Sequence, residues 1–116
     1  MGMLSKVVKI VVFVPEADAD KVRNALGQAG AGKIGNYSFC SFSSKGTGRF
    51  RPDEGASPHI GKVGDLETVA EERIETICAR DILSTVVSAM KAAHPYEEVA
   101  YDVYALENEI EESLLR

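Results

Sequence analysis

A chain of 116 residues with 45% hydrophobic and 27% charged side chains is sized for one globular domain around one core. Thirteen basic against eighteen acidic residues give a formal charge of -5, which works against a nonspecific grip on nucleic acid or anionic lipid. The longest apolar run, Ile10 to Val14, is far too short to span a bilayer, and the first residues lack the order of a signal peptide, so a cytoplasmic protein is expected.

In chain order, residues 6 to 14 are β-branched and almost continuously apolar, which predicts a central strand buried on both faces. Pro15 ends it. Asp18 is placed to cap a helix in which Ala19, Val22, Ala25, Leu26 and Ala29 share one stripe, and Gly30 and Gly32 terminate that helix. Residues 35 to 43 alternate, Tyr37, Phe39, Ser41 and Ser43 against Ser38, Cys40 and Phe42, and read as a second strand. Residues 45 to 68, rich in glycine and proline, form a long connection whose start, Thr47 to Arg51, is open to being more of the hairpin. Strand character resumes from Val69 to Ala79. Asp81 begins a second helix carrying Ile82, Leu83, Val86, Val87, Met90 and Ala93 at helical spacing, and Pro95 closes it. Val99, Tyr101, Val103 and Ala105 alternate as a last strand, and 107 to 116 form an acidic tail, a frayed helix or an arm onto a neighbour.

The order strand, helix, strand, strand, helix, strand predicts an α+β ferredoxin-like βαββαβ sandwich over residues 1 to 106, with two helices on one face of a four-stranded antiparallel sheet. On the first strand Val8, Ile10, Val12 and Val14 share one side, while Val7, Val11 and Phe13 share the other. Both sides are apolar and the helices cover one. A second copy of the chain is the expected cover for the other, which makes a homo-oligomer the main expectation from the residues alone.

Two groups of segments carry a resemblance. Gly30 to Ser38 with Gly46-Thr47-Gly48, and Arg73-Ile74-Glu75-Thr76 with His94-Pro95-Tyr96-Glu97-Glu98-Val99-Ala100-Tyr101-Asp102, resemble the small domain inserted in many bacterial Nif-three-like proteins and the YqfO-type proteins that consist of it alone. The resemblance covers residues 6 to 106. Through His94-Pro95-Tyr96-Glu97 the chain is also similar to CutA, the divalent-cation-tolerance proteins, which share their fold and trimeric assembly with the PII signalling proteins. The likeness implies a homo-oligomer, with a trimer favoured. The two-metal site of Nif-three-like proteins belongs to the surrounding domain, so the resemblance implies no cofactor here and no transfer of hydrolase or cyclohydrolase activity.

Candidate site residues fall in three places. Lys33 stands in the cluster Gly30 to Gly35, which reads as a tight helix-to-strand connection or an anion cradle, with Asn36 and Tyr37 following. Arg49, Arg51 and His59, with Asp53 and Glu54, make the long connection the most plausible surface for a ligand or partner. His94, Tyr96 and Glu97 follow the second helix, where His94 reads as a helix-end residue bonding a last-turn carbonyl, or as a contact or metal ligand. Cys40 and Cys78 form no Cys-x-x-Cys pair and read as small buried hydrophobes. No serine, cysteine or threonine has a nucleophile's context, so no enzyme is expected. The reading is an oligomeric ligand- or partner-binding module, possible partners being a small molecule or another protein. Its alternatives are a metal-binding protein of the CutA kind using His59, His94, Cys40 or a carboxylate, and a regulatory domain acting in trans on a Nif-three-like enzyme.

Overall fold

A computed structural model describes residues 6 to 107, so the expected tail from 108 onward lies outside the described residues. The valine-rich run forms β1, Val7–Pro15, and is followed by α1, Ala19–Gln28. Then come β2, Phe42–Phe50, and β3, Glu67–Ala79. The chain finishes with α2, Leu83–Ala93, and β4, Tyr101–Ala105. All pairings are antiparallel in the order β2-β3-β1-β4, which is the expected ferredoxin-like α+β sandwich. β1 is central, as its two-sided apolar character requires.

Val8, Ile10, Val12 and Val14 enter one core with Ile74 and Cys78 of β3, Val22 and Leu26 of α1, and Val86 and Met90 of α2. Each such side chain contributes about 1.5–3 kcal/mol on leaving water. This face holds the domain together. Burial pushes the Cys78 thiol up to about 11, with Asp81 adding to the shift, so Cys78 is an inert part of that core.

The helix starts depart from the sequence reading. Asp18 is the N-cap residue of α1 but its side chain makes no capping bond, and Asp81 lies inside a short 3-10 turn, leaving Ile82 at the N-cap of α2. The reason is local: 3-10 turns at Glu16–Asp18 and Arg80–Ile82 present backbone carbonyls to the first helical N–H groups, Ala19 donating to Glu16 and Leu83 to Arg80.

The second strand also differs. It begins at Phe42 rather than at residue 35, and runs through Gly46 and Gly48 to Phe50. Residues 34 to 37 instead close a turn, with the amide of each of Ile34 and Tyr37 bonded to the other's carbonyl at 3.0 Å. The following stretch is held from both sides. The Cys40 amide donates to the Gly32 carbonyl at 2.9 Å, and the Thr76 hydroxyl donates to the Cys40 carbonyl at 2.7 Å. Tertiary anchoring overrides an alternating pattern there.

β1 pairs with β3 only as far as Pro15 opposite Glu71, whereas β2 and β3 continue to Phe50 opposite Glu67. A two-stranded arm therefore projects past the end of β1. It draws the molecule out to 47 × 34 × 22 Å. The long connection shortens accordingly to residues 51–66, since 45 to 50 belong to β2 and 67 and 68 to β3.

The sheet face without helices is not the bare apolar surface expected from Val7, Val11 and Phe13. Val11 is 0% exposed there, yet its neighbours on that face are charged. Glu75 lies opposite it and bonds Lys9 at 3.2 Å and Arg73 at 3.4 Å, while the Arg73 guanidinium stands 5.7 Å from the Phe13 ring centre. Long side chains of β1 and β3 thus close over the valine without a partner subunit. Phe42, 69% exposed, and Tyr104, 47% exposed, remain open on the same face, across from Glu75 and Lys9 respectively. Among the described residues no helix is long and apolar enough to cross a membrane.

Candidate functional site

The site is built on His94, which ends α2 in an extended conformation and is only 7% exposed. Its Nε2 lies 2.8 Å from the carbonyl oxygen of Phe13 in β1, and its Nδ1 receives the Tyr96 amide at 3.1 Å. An amide donates only, so Nδ1 is the unprotonated nitrogen and Nε2 carries the proton given to Phe13. Burial, the larger effect, pushes the imidazole's pKa below 6.5 despite that carbonyl. The ring is neutral and fully used by backbone. It spans to β1 rather than bonding a last-turn carbonyl, because the chain leaves the helix at His94, ahead of Pro95, and turns under the end of β1.

Tyr96 is thereby fixed at the root of the β2–β3 arm. Its ring centre lies 5.2 Å from that of His94, 5.7 Å from that of Phe50 edge-on, and 6.3 Å from that of His59. Its hydroxyl is buried and meets no partner in hydrogen-bonding geometry. Burial and the nearby negative charge of Glu71 push it up to about 12. Glu71 is itself shifted upward by burial, partly offset by its interaction with the tyrosine. The Glu71 carboxylate lies over Gly48, and a Cβ at that position would run into it. A glycine in an edge strand here makes room for a carboxylate.

Residues 51–66 curl back from the arm toward the 94–100 segment. The Ser57 amide donates to Glu97 Oε1 at 2.8 Å, and Gly64 donates to the Pro52 carbonyl at 2.8 Å, so the loop is tied at its far reach and at its root. Between loop, arm and segment lies a cleft of about 570 Å³. Phe13, Phe50, Pro52, Pro58, Ile60 and Ala100 give it apolar walls, and Glu71, Tyr96 and Glu98 add polar groups. This is the size and character of small-molecule sites.

Five of the nine residues singled out from sequence meet at this cleft: Arg49, Arg51, His59, Tyr96 and Glu97. Arg51 is paired with Asp53 at 3.1 Å, whereas Arg49 has no carboxylate partner among the described residues. His94 stands directly behind, supporting Tyr96. Lys33, Asn36 and Tyr37 are elsewhere: their turn is attached through the Gly32 amide to the Ile77 carbonyl at 2.7 Å, six residues along β3 from Glu71 and so about 20 Å away at strand spacing. As metal ligands His59, His94 and Cys40 are not brought together, and both nitrogens of His94 are occupied. Among the described residues no three of His, Cys, Asp and Glu converge on a possible ion position.

Phe13, Phe50, Ile60 and Glu71 were not singled out from sequence. Phe13 and Phe50 carried a faint signal, as large apolar residues at the ends of their strands. Glu71 carried none, because its role depends on its lying over Gly48, two strand positions from its own register partner Gly46.

No protein-family model matches the chain. The periplasmic divalent cation tolerance protein CutA from Archaeoglobus fulgidus superposes with a TM-score of 0.64 at 16% identity, over 93% of this chain and 91% of that one. By fold the chain is therefore a CutA-like α+β domain. A Bacillus cereus protein related to NIF3 superposes with a TM-score of 0.78 at 55% identity, over 92% of this chain and 27% of that one. A GTP cyclohydrolase 1 type 2 homolog from Halalkalibacterium halodurans is 60% identical over 101 residues, which are 87% of this chain and 27% of that protein. The chain spans about a quarter of the length of these relatives and is similar to that one segment of them.

Proposed function

We propose that the chain is a binding module, regulatory rather than catalytic, that takes a small ligand in the cleft between the β2–β3 arm, the 51–66 loop and the 94–100 segment. The observation that carries this reading is the cleft itself: about 570 Å³ of mainly apolar space with a fixed tyrosine at its root and a loop strapped over it by Glu97. The cyclohydrolase name belongs to proteins of which the matched segment is about a quarter. The module is proposed as a binding part of such proteins rather than their catalytic part, acting in the cytoplasm.

Homo-oligomerisation, with a trimer favoured, is part of the same proposal. It is supported by Phe42 and Tyr104, exposed on the helix-free face, and by Tyr37, 74% exposed on its projecting turn. A neighbouring copy would be needed to bring Lys33, Asn36 and Tyr37 near a cleft from which one chain keeps them distant. Thermal-shift screening against a diverse small-molecule set, read beside native mass spectrometry, tests the proposal. Stabilisation that disappears in Ile60→Asp supports it. Hits that stabilise the Ile60→Asp protein equally well overturn the assignment of this cleft.

A further inference from the structure

The charge around the cleft is not balanced. Four carboxylates and two guanidinium groups belong to residues that line it. Asp53 is matched by Arg51 at 3.1 Å, but Glu71, Glu97 and Glu98 have no basic side chain against them among the described residues. Glu97 receives only the neutral Ser57 amide. Arg49 also lines the cleft but forms no ion pair with any of these carboxylates among the described residues. The upward shift of Glu71 by burial agrees with a carboxylate short of counter-charge.

The walls beside these carboxylates are aromatic. Phe13, Phe50 and Tyr96 line the space, and the ring of Phe13 already bears a cation, the Arg73 guanidinium at 5.7 Å. Aromatic faces next to uncompensated carboxylates attract positive charge spread over an organic body. A bare metal ion asks for converging ligands, which the described residues do not provide. A nucleotide or other polyanion would add negative charge where carboxylates already outnumber guanidinium groups.

Resting on the cleft as the binding site, we propose that its ligand class is an organic cation, a protonated or quaternary amine carried on an apolar body about the size of an aromatic ring. The amine faces Glu97, Glu98 and Glu71, and the body lies among Phe13, Phe50 and Tyr96.

Three probes of like size separate charge from shape: phenethylammonium, neutral 2-phenylethanol and anionic 3-phenylpropionate, each titrated into the full chain and followed by amide chemical shifts. Phenethylammonium is expected to move amides of residues 48 to 60 and 96 to 100, with a Kd about tenfold below those of the other two, an advantage that shrinks as salt is raised. In the double variant Glu97→Gln, Glu98→Gln, which keeps a carbonyl acceptor for Ser57, that advantage is lost while 2-phenylethanol binds as before. Equal or tighter binding of the neutral or anionic probe at the same amides overturns the cation class and leaves the cleft standing as a site. If no probe moves those amides, both the class and the site fall.

Discussion

The proton on His94 Nε2 is given to the carbonyl of Phe13 at 2.8 Å, and this bond joins the end of α2 to the last residues of β1 beneath the cleft. His94→Gln removes the ring and at least one buried hydrogen bond. It is expected to cost about 1–3 kcal/mol in urea unfolding and to loosen Tyr96. The pH dependence has a definite sign. Burial holds the folded-state pKa below 6.5, so the unfolded chain protonates first as pH falls. The contribution is whole above about 6.5 and declines from there down through the folded pKa, with a slope of at most about 1.4 kcal/mol per pH unit from one proton. The difference in stability between wild type and His94→Gln should therefore narrow from pH 7 to pH 5. A difference constant over that range contradicts the neutral, buried assignment.

Gly32 adopts φ +79°, and a Cβ there would meet the backbone of Cys40. Neither obstacle yields easily, because the Cys40 segment is held by the Thr76 hydroxyl at 2.7 Å. Gly32→Ala is expected to destabilise by about 2 kcal/mol or more, combining a left-handed backbone with a backbone clash. Thr76→Val leaves the Cys40 carbonyl without its donor and should cost about 1–2 kcal/mol. Equilibrium unfolding of the two single variants and the double variant checks this. Since both act on one anchor, the double should cost less than the sum.

How much of this was legible follows from which residues answer to local rules. The run from Val7 to Val14 announced a two-sided central strand, and the stripe Val86, Met90 announced the buried face of α2, because burial and periodicity are properties of neighbouring residues. The start of β2 was misplaced because Tyr37 to Phe42 alternate as a strand does, while the anchors that prevent pairing, Gly32 and Thr76, lie elsewhere in the chain. The same limit governs the site. Tyr96, Glu97 and His59 stood out by type and position, but Glu71 enters the cleft only because Gly48 lets its carboxylate across, a relation between two strands. The polar cover over Val11 was missed for a like reason: parity showed Val7, Val11 and Phe13 together, and only the register set Glu75 opposite Val11 and Arg73 opposite Phe13.

If Phe42 and Tyr104 mark a contact between copies, Phe42→Ser should lower the mass seen in solution without lowering the unfolding midpoint of the protomer, since Phe42 is 69% exposed and supports no core. Sedimentation at several concentrations reads the first quantity and urea unfolding the second. An unchanged mass in Phe42→Ser and in Tyr104→Ser removes this face from the assembly.

Gly48→Ala separates architecture from function. The atoms a new Cβ would meet are the carboxylate of Glu71, the far end of a flexible side chain, and the edge strand has no positive φ at this position. The folded state should accept the methyl group by moving Glu71 aside, with stability changed by no more than about 1 kcal/mol. The displaced carboxylate should weaken phenethylammonium binding. A large loss of stability would mean that Glu71 is held in place more firmly than its chain length suggests.

Glu71→Gln carries the argument to the charge itself. The folded-state pKa of Glu71 is raised above 4.5 chiefly by burial, so folding favours its neutral form. That preference helps the fold fully below about 4.5 and is lost as pH rises through the folded value, leaving a partly buried charge at neutral pH. Glutamine keeps the shape of the side chain without the charge. The variant should melt at a higher temperature than wild type at pH 7, with the gain fading toward pH 4, and at pH 7 it should bind the amine probe more weakly. A stability cost retained for a binding charge is a common trade at functional sites. A variant that melts lower at pH 7 and binds the probe unchanged would show that Glu71 serves only to brace the arm.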